Sequence, residues 1–156
     1  MRSAMGYLIV VVLLTGLAQA QAPKDADEKR QAILDYQLTM PRANQLLSAM
    51  DSMTKYVVSL PDFAERMRRS MQMTTAEQIA QIEKDPKAAD IVKKNGLTAR
   101  DYIIGVPALR MALLAASGAP QGPTIIVSPA NLAFAKANLS VLKPKMDAVD
   151  GAGARR

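Results

Sequence analysis

Cysteine and histidine are both absent from this chain, and only 4% of it is aromatic. Without cysteine there is no disulfide staple and no site for acylation on a cysteine, so stability rests on apolar packing alone. Without either residue, serine–histidine and cysteine–histidine catalysis, thiol redox work and ordinary zinc or haem ligation fall away. The few aromatics do not interleave with the basic residues, as a base-stacking nucleic-acid surface requires. Gly118 and Gly122 flank prolines and have no lysine after them, so they form no phosphate loop. There is no internal repeat, no heptad run long enough for a coiled coil and no twin-arginine pattern.

What is present begins with an export signal. Met1 to Met5 carries a single charge, Arg2, and Gly6 to Leu17 is almost wholly apolar but short for a permanent membrane span. Ala18-Gln19-Ala20 has the small-x-small pattern of a signal peptidase site, which places the expected cut between Ala20 and Gln21. A cut after Ala22 would put Pro23 where the enzyme accepts it poorly. A retained anchor is the rival reading, and the short apolar run and the cleavage motif count against it. The expected mature protein is therefore periplasmic or secreted.

Removing residues 1–20 from 156 leaves 136, enough for one domain with one core. The expected organisation is a flexible segment at 21–27, a single helical domain at 28–146 and a flexible tail at 147–156. The net charge of +6 falls to +5 once Arg2 is lost. The basic residues are scattered: Arg66, Arg68 and Arg69; Lys84 and Lys87; Lys93 and Lys94; Lys143 and Lys145; Arg155 and Arg156. Such scatter ordinarily marks a solvated surface, with weak contact to anionic lipid or cell-wall polymer as the alternative.

Helix punctuation recurs along the chain. A first helix is expected over Glu28–Leu38. Thr39 caps a second, with Pro41 in its first turn and Ala43, Leu46, Leu47, Met50, Met53 and Val57 on one stripe. Ser59-Leu60-Pro61-Asp62 opens a third, with the row Phe63, Met67 and Met71. Thr74 and Glu77 have capping-box spacing for a fourth that carries Ile79 and Ile82. Asp85-Pro86 starts a fifth, which closes at Asn95-Gly96. Thr98 caps a sixth, Ala99 to about Ala116, which is apolar nearly all round with a small-residue strip of Gly105, Ala108, Ala112 and Ala115. That pattern belongs to a buried central helix; Pro107 and Arg110 argue against a membrane span. Thr124 to Val127 is expected to be extended. Ser128-Pro129 opens the last helix, with Leu132, Leu139 and Leu142 inward and Pro144 as its limit. The fold class is all-α: a bundle of five to seven short helices around the sixth.

Chemistry is sparse. Asp62, Glu77, Asp85 and Asp101 sit at helix starts, where capping explains them, although a carboxylate pair would still suffice for glycosidase-like work. The methionine spacings Met50/Met53, Met67/Met71 and Met71/Met73 would suit Cu(I), yet Met50, Met53, Met67 and Met71 coincide with apolar stripes. Arg110 is expected to reach solvent or to pair with a buried carboxylate. Asn131, Phe134 and Asn138 share one helix side, which suits either a small ligand or the tying of a neighbouring loop.

The stretches Asn95-Gly-Leu-Thr-Ala-Arg-Asp-Tyr102 and Ser128-Pro-Ala-Asn-Leu-Ala-Phe-Ala-Lys-Ala-Asn138 resemble segments of small exported helical proteins of Gram-negative bacteria. No activity is attached to that group, so the resemblance implies compartment and fold and no functional residue. The functional expectation is a non-catalytic binding or interaction module of the cell envelope. Its partner would be an envelope protein, a polymer or a small apolar ligand. Methionine-based Cu(I) handling and a cryptic carboxylate enzyme are the alternatives. No catalytic residue, cofactor or metal ligand is assigned.

Overall fold

Side-chain caps start most of the helices. The computed structural model describes residues 23–119 and 122–153. Among them are seven helices and no strand: α1 (Pro23–Asp35), α2 (Met40–Val58), α3 (Phe63–Ser70), α4 (Thr75–Lys84), α5 (Pro86–Lys94), α6 (Ala99–Ala116) and α7 (Pro129–Gly153). Thr39 Oγ1 accepts from the Arg42 N–H at the head of α2. Thr74 with Glu77, and Thr98 with Asp101, close reciprocal capping boxes on α4 and α6. Asp85 ends α4 and caps α5, accepting from the backbone N–H groups of Lys87 and Ala88. Gly96 takes the positive φ of 69° that closes α5, and the Leu97 N–H reaches back to the Val92 carbonyl at 3.0 Å.

The sixth helix is central, as its all-round apolar pattern requires. Helices α1, α2, α4, α5 and α7 all pack against it, whereas α3 has only slight helix–helix contact. Leu46 on α2, Leu109 on α6 and Leu142 on α7 are the largest fully buried side chains, each contributing roughly 1.5–3 kcal/mol of transfer free energy. The small strip of α6 is buried and lets neighbours close in. A Cβ on Gly105 would stand 2.7 Å from the Tyr36 phenol and 2.9 Å from Leu46 Cδ2, so only glycine admits that ring.

Several boundaries differ from expectation. Residues 23–27, expected to be loose, are helical: Pro23 begins α1, where its missing N–H is harmless, and Asp25 reaches the Thr75 N–H at the start of α4. Helix α1 stops at Asp35 because Asn131 captures the backbone of the segment that follows. Pro144 does not end α7, which runs on to Gly153 through the expected tail. The N–H that proline lacks would have faced Ser140, which is exposed, so water can satisfy the freed carbonyl. Beyond it Met146 and Val149 are buried, which anchors the extension. The inward row of α7 is Asn131, Ala135, Leu142, Met146 and Val149; Leu132 and Leu139 are only half-buried. Ile125–Ser128 has no regular structure, and its Ile126 packs with Ile33, Ile104, Ala108 and Met111 between α1 and α6. No helix among the described residues is long and apolar enough to cross a membrane.

Candidate ligand cavity

Helix α3 buries none of its residues, so the expected row Phe63, Met67 and Met71 is not a core stripe. With α2, α4 and the first turns of α5 and α6 it lines a cavity of about 260 Å³ that is half open to solvent. The walls are mostly apolar: Met53 and Val57 from α2, Met67 from α3, Ile82 from α4, and Tyr102 and Ile103 from α6. Burial pushes the Tyr102 phenol up to about 12, with the Arg110 charge opposing it, so that ring stays neutral.

One side of the cavity is polar and shared with a wider hollow of about 690 Å³ at the surface. Tyr56, Arg66, Gln81 and Asp85 line both. The Tyr56 hydroxyl donates to Asp85, 2.8 Å from Oδ2 and 3.0 Å from Oδ1. That hydrogen bond raises the Tyr56 phenol, and burial adds to it. Burial pulls the Asp85 carboxyl upward, but the Ala88 N–H, the Tyr56 hydroxyl, the Lys87 N–H and the Arg66 charge together hold it below its ordinary value. Arg66 Nε donates to both oxygens of Asp62 at 2.9 Å, and its Nη1 lies 3.6 Å from Asp85 Oδ2. Asp62, expected as a cap, gives no capping hydrogen bond and serves this ion pair instead. The Gln78 amide donates to the Ser70 carbonyl at 2.9 Å, fastening the end of α3 to α4. The side chains of Gln81 and Ser70 have no hydrogen-bond partner among the described residues.

The remaining candidates lie elsewhere. Ala18, Ala20 and Gln21 fall outside the described residues, as do Arg155 and Arg156. Asn131 is 2% exposed; its Oδ1 accepts from the Leu38 N–H at 3.0 Å and its Nδ2 donates to the Tyr36 carbonyl at 2.7 Å. It ties a loop. Asn138 donates to the Phe134 carbonyl within its own helix. Arg110 pairs with Asp150 at 2.7 Å, both half-buried, so the carboxylate comes from the segment expected as tail. Met50, Met53, Met111 and Met146 are buried, Met71 is half-buried, and Met73 lines only the surface hollow. Only Met53 and Met67 meet in the cavity. No group of three or more acids converges among the described residues in a way that could hold a metal ion. Of the arginine cluster, Arg66 turns to the cavity, Arg69 pairs with Glu65 at 2.8 Å and Arg68 is exposed.

Fold and site together define a cysteine-free, all-α bundle with a small, mainly apolar cavity beneath a short helix. No protein-family model, curated protein or solved structure matches the chain.

Proposed function

We propose that this protein is an exported, non-catalytic binding module that holds a small, largely apolar molecule in the cavity beneath α3. The observation that carries the reading is the cavity itself: apolar walls from four helices with a polar side, the usual composition of a small-molecule site. A catalytic reading would need a tuned acid or base. The acids beside the site, Asp85 and Glu77, are both held below their ordinary values, Glu77 by the Thr74 N–H and hydroxyl. Both therefore remain ionised near neutrality and neither is suited to general-acid work. The periplasm, or the medium beyond it, is the proposed compartment, supported by the apolar run of 6–17 and Ala18-Gln19-Ala20.

Two measurements test this. Methyl spectra of methionine-labelled protein, titrated with benzene, should show shifts at Met53 and Met67 and none at Met111 or Met146. Silence at all four would remove the cavity as a site. The intact mass of the exported protein should correspond to residues 21–156, with or without loss of ammonia from Gln21. A membrane-bound product that keeps Met1–Ala20 would overturn the export reading.

A further inference from the structure

We infer that the ligand of this cavity is an amphipathic carboxylic acid. Its apolar tail lies among the cavity walls, and its carboxylate rests at the mouth on Arg66, Gln81 and Lys84. The inference rests on the binding reading above and deepens it by naming the class of ligand.

The site is graded in polarity. Met53, Val57, Met67, Ile82 and Ile103 line the cavity alone, Arg66 and Gln81 line both the cavity and the surface hollow, and Lys84 lines the hollow alone. A molecule with one apolar and one polar end can bury the first and keep the second wet in only one direction. Because the cavity is half open, it fixes that direction and sets no limit on the length of the tail.

The open hydrogen-bonding groups at the mouth are chiefly donors. Arg66 donates to Asp62 through Nε alone; its Nη1 lies 3.6 Å from Asp85 Oδ2, too far for a hydrogen bond, and its Nη2 makes none among the described residues. Lys84 is exposed, and its ammonium has no partner among the described residues. The free Gln81 amide stands three residues before it, on the same side of α4. The carboxylates of the hollow, by contrast, are occupied. Glu77 Oε2 accepts from the Thr74 N–H at 2.8 Å and its hydroxyl at 3.0 Å. Asp85 accepts from the Lys87 and Ala88 N–H groups and the Tyr56 hydroxyl. Both acids also sit at helix N-termini, whose partial positive charge offsets theirs. A carboxylate is acceptor only, so it matches what the mouth leaves open, and the two Nη groups of Arg66 can hold it at two points.

The test uses octanoate, octanamide and octylamine, which share a tail and differ in the head. Each is titrated into the full mature protein at neutral pH and low salt, with the Met53 and Met67 methyl signals as the site readout. Octanoate should bind about three- to tenfold more tightly than octanamide. Raising the salt to about 1 M, where the screening length falls to about 3 Å, should remove most of that advantage. Lys84→Gln, at an exposed position, should lower the octanoate affinity about twofold and leave octanamide unchanged. Arg66→Gln should abolish the remaining preference. Octanamide or octylamine binding as tightly as octanoate overturns the inference, as does a preference that Lys84→Gln leaves intact. Silence of both methionines toward octanoate when benzene shifts them also overturns it, and in each of these cases the cavity stands as a site. Failure of benzene and of all three compounds to shift either methionine overturns the binding reading itself.

Discussion

At the scale of single residues, Asn131 ties the segment between α1 and α2 to α7. It is the one buried polar residue of the described chain, and it satisfies a buried N–H and a carbonyl that α1 and α2 leave between them. Asn131→Leu leaves Leu38 N–H and Tyr36 C=O without these partners, at about 1–3 kcal/mol for each group stranded. Asn138→Ala removes only a bond within α7 and should cost about 0.5 kcal/mol or less, in the range of surface changes. Urea unfolding of the two variants checks the contrast. Equal losses would mean that the segment between α1 and α2 does not depend on Asn131.

At the scale of elements, α3 and α6 stand at opposite extremes. Nine residues of α6 are buried, whereas α3 has none and makes only slight contact with other helices. What fastens α3 is polar: Arg66 toward Asp85, and Gln78 to the Ser70 carbonyl. Solvent-screened ion pairs of this kind contribute little. Local opening of α3 should therefore cost far less than global unfolding. Hydrogen exchange should find the amides of α3 exchanging well before those of α6 and slowed when the cavity is filled. Protection of α3 equal to that of α6 would contradict this picture of a lightly held roof.

The whole molecule should show a broad neutral plateau of stability with a fall on each side. There is no histidine to titrate between pH 5 and 8. On the acid side, burial works against Asp85 and Asp101, but hydrogen bonds and nearby arginines leave both below the ordinary 3.8, and Thr74 leaves Glu77 below 4.5. These carboxylates bind protons more readily in the unfolded chain, so their contribution is present above about pH 4 and lost as pH falls through the folded values. On the alkaline side, burial raises the phenols of Tyr36 and Tyr102 to about 12, and the Tyr36 hydroxyl is buried without a hydrogen-bond partner among the described residues. Here the unfolded chain loses protons first. That contribution is whole below about pH 10 and disappears between 10 and 12. Urea midpoints measured from pH 2 to 12 should trace this profile; an optimum displaced below pH 4 or above pH 10 would contradict it.

Local chemistry was enough to read most of the helices from the sequence. Thr39, Thr74, Asp85 and Thr98 announce starts because a cap satisfies N–H groups only two or three residues away, and Gly96 announces an end for an equally local reason. The central place of α6 was legible too, since a helix apolar on every side has no face to give to water. The ends of α1 and α7 were not legible. Asn131 stops α1 from 93 residues away, and α7 passes Pro144 because Met146 and Val149 have a core to enter and Asp150 has Arg110 to meet. The cavity was the least legible feature. Its residues come from five helices, and the Tyr56–Asp85 hydrogen bond joins side chains 29 positions apart. Nothing periodic links such residues; only the packing of α2, α4 and α6 around a gap, with α3 across it, brings them together.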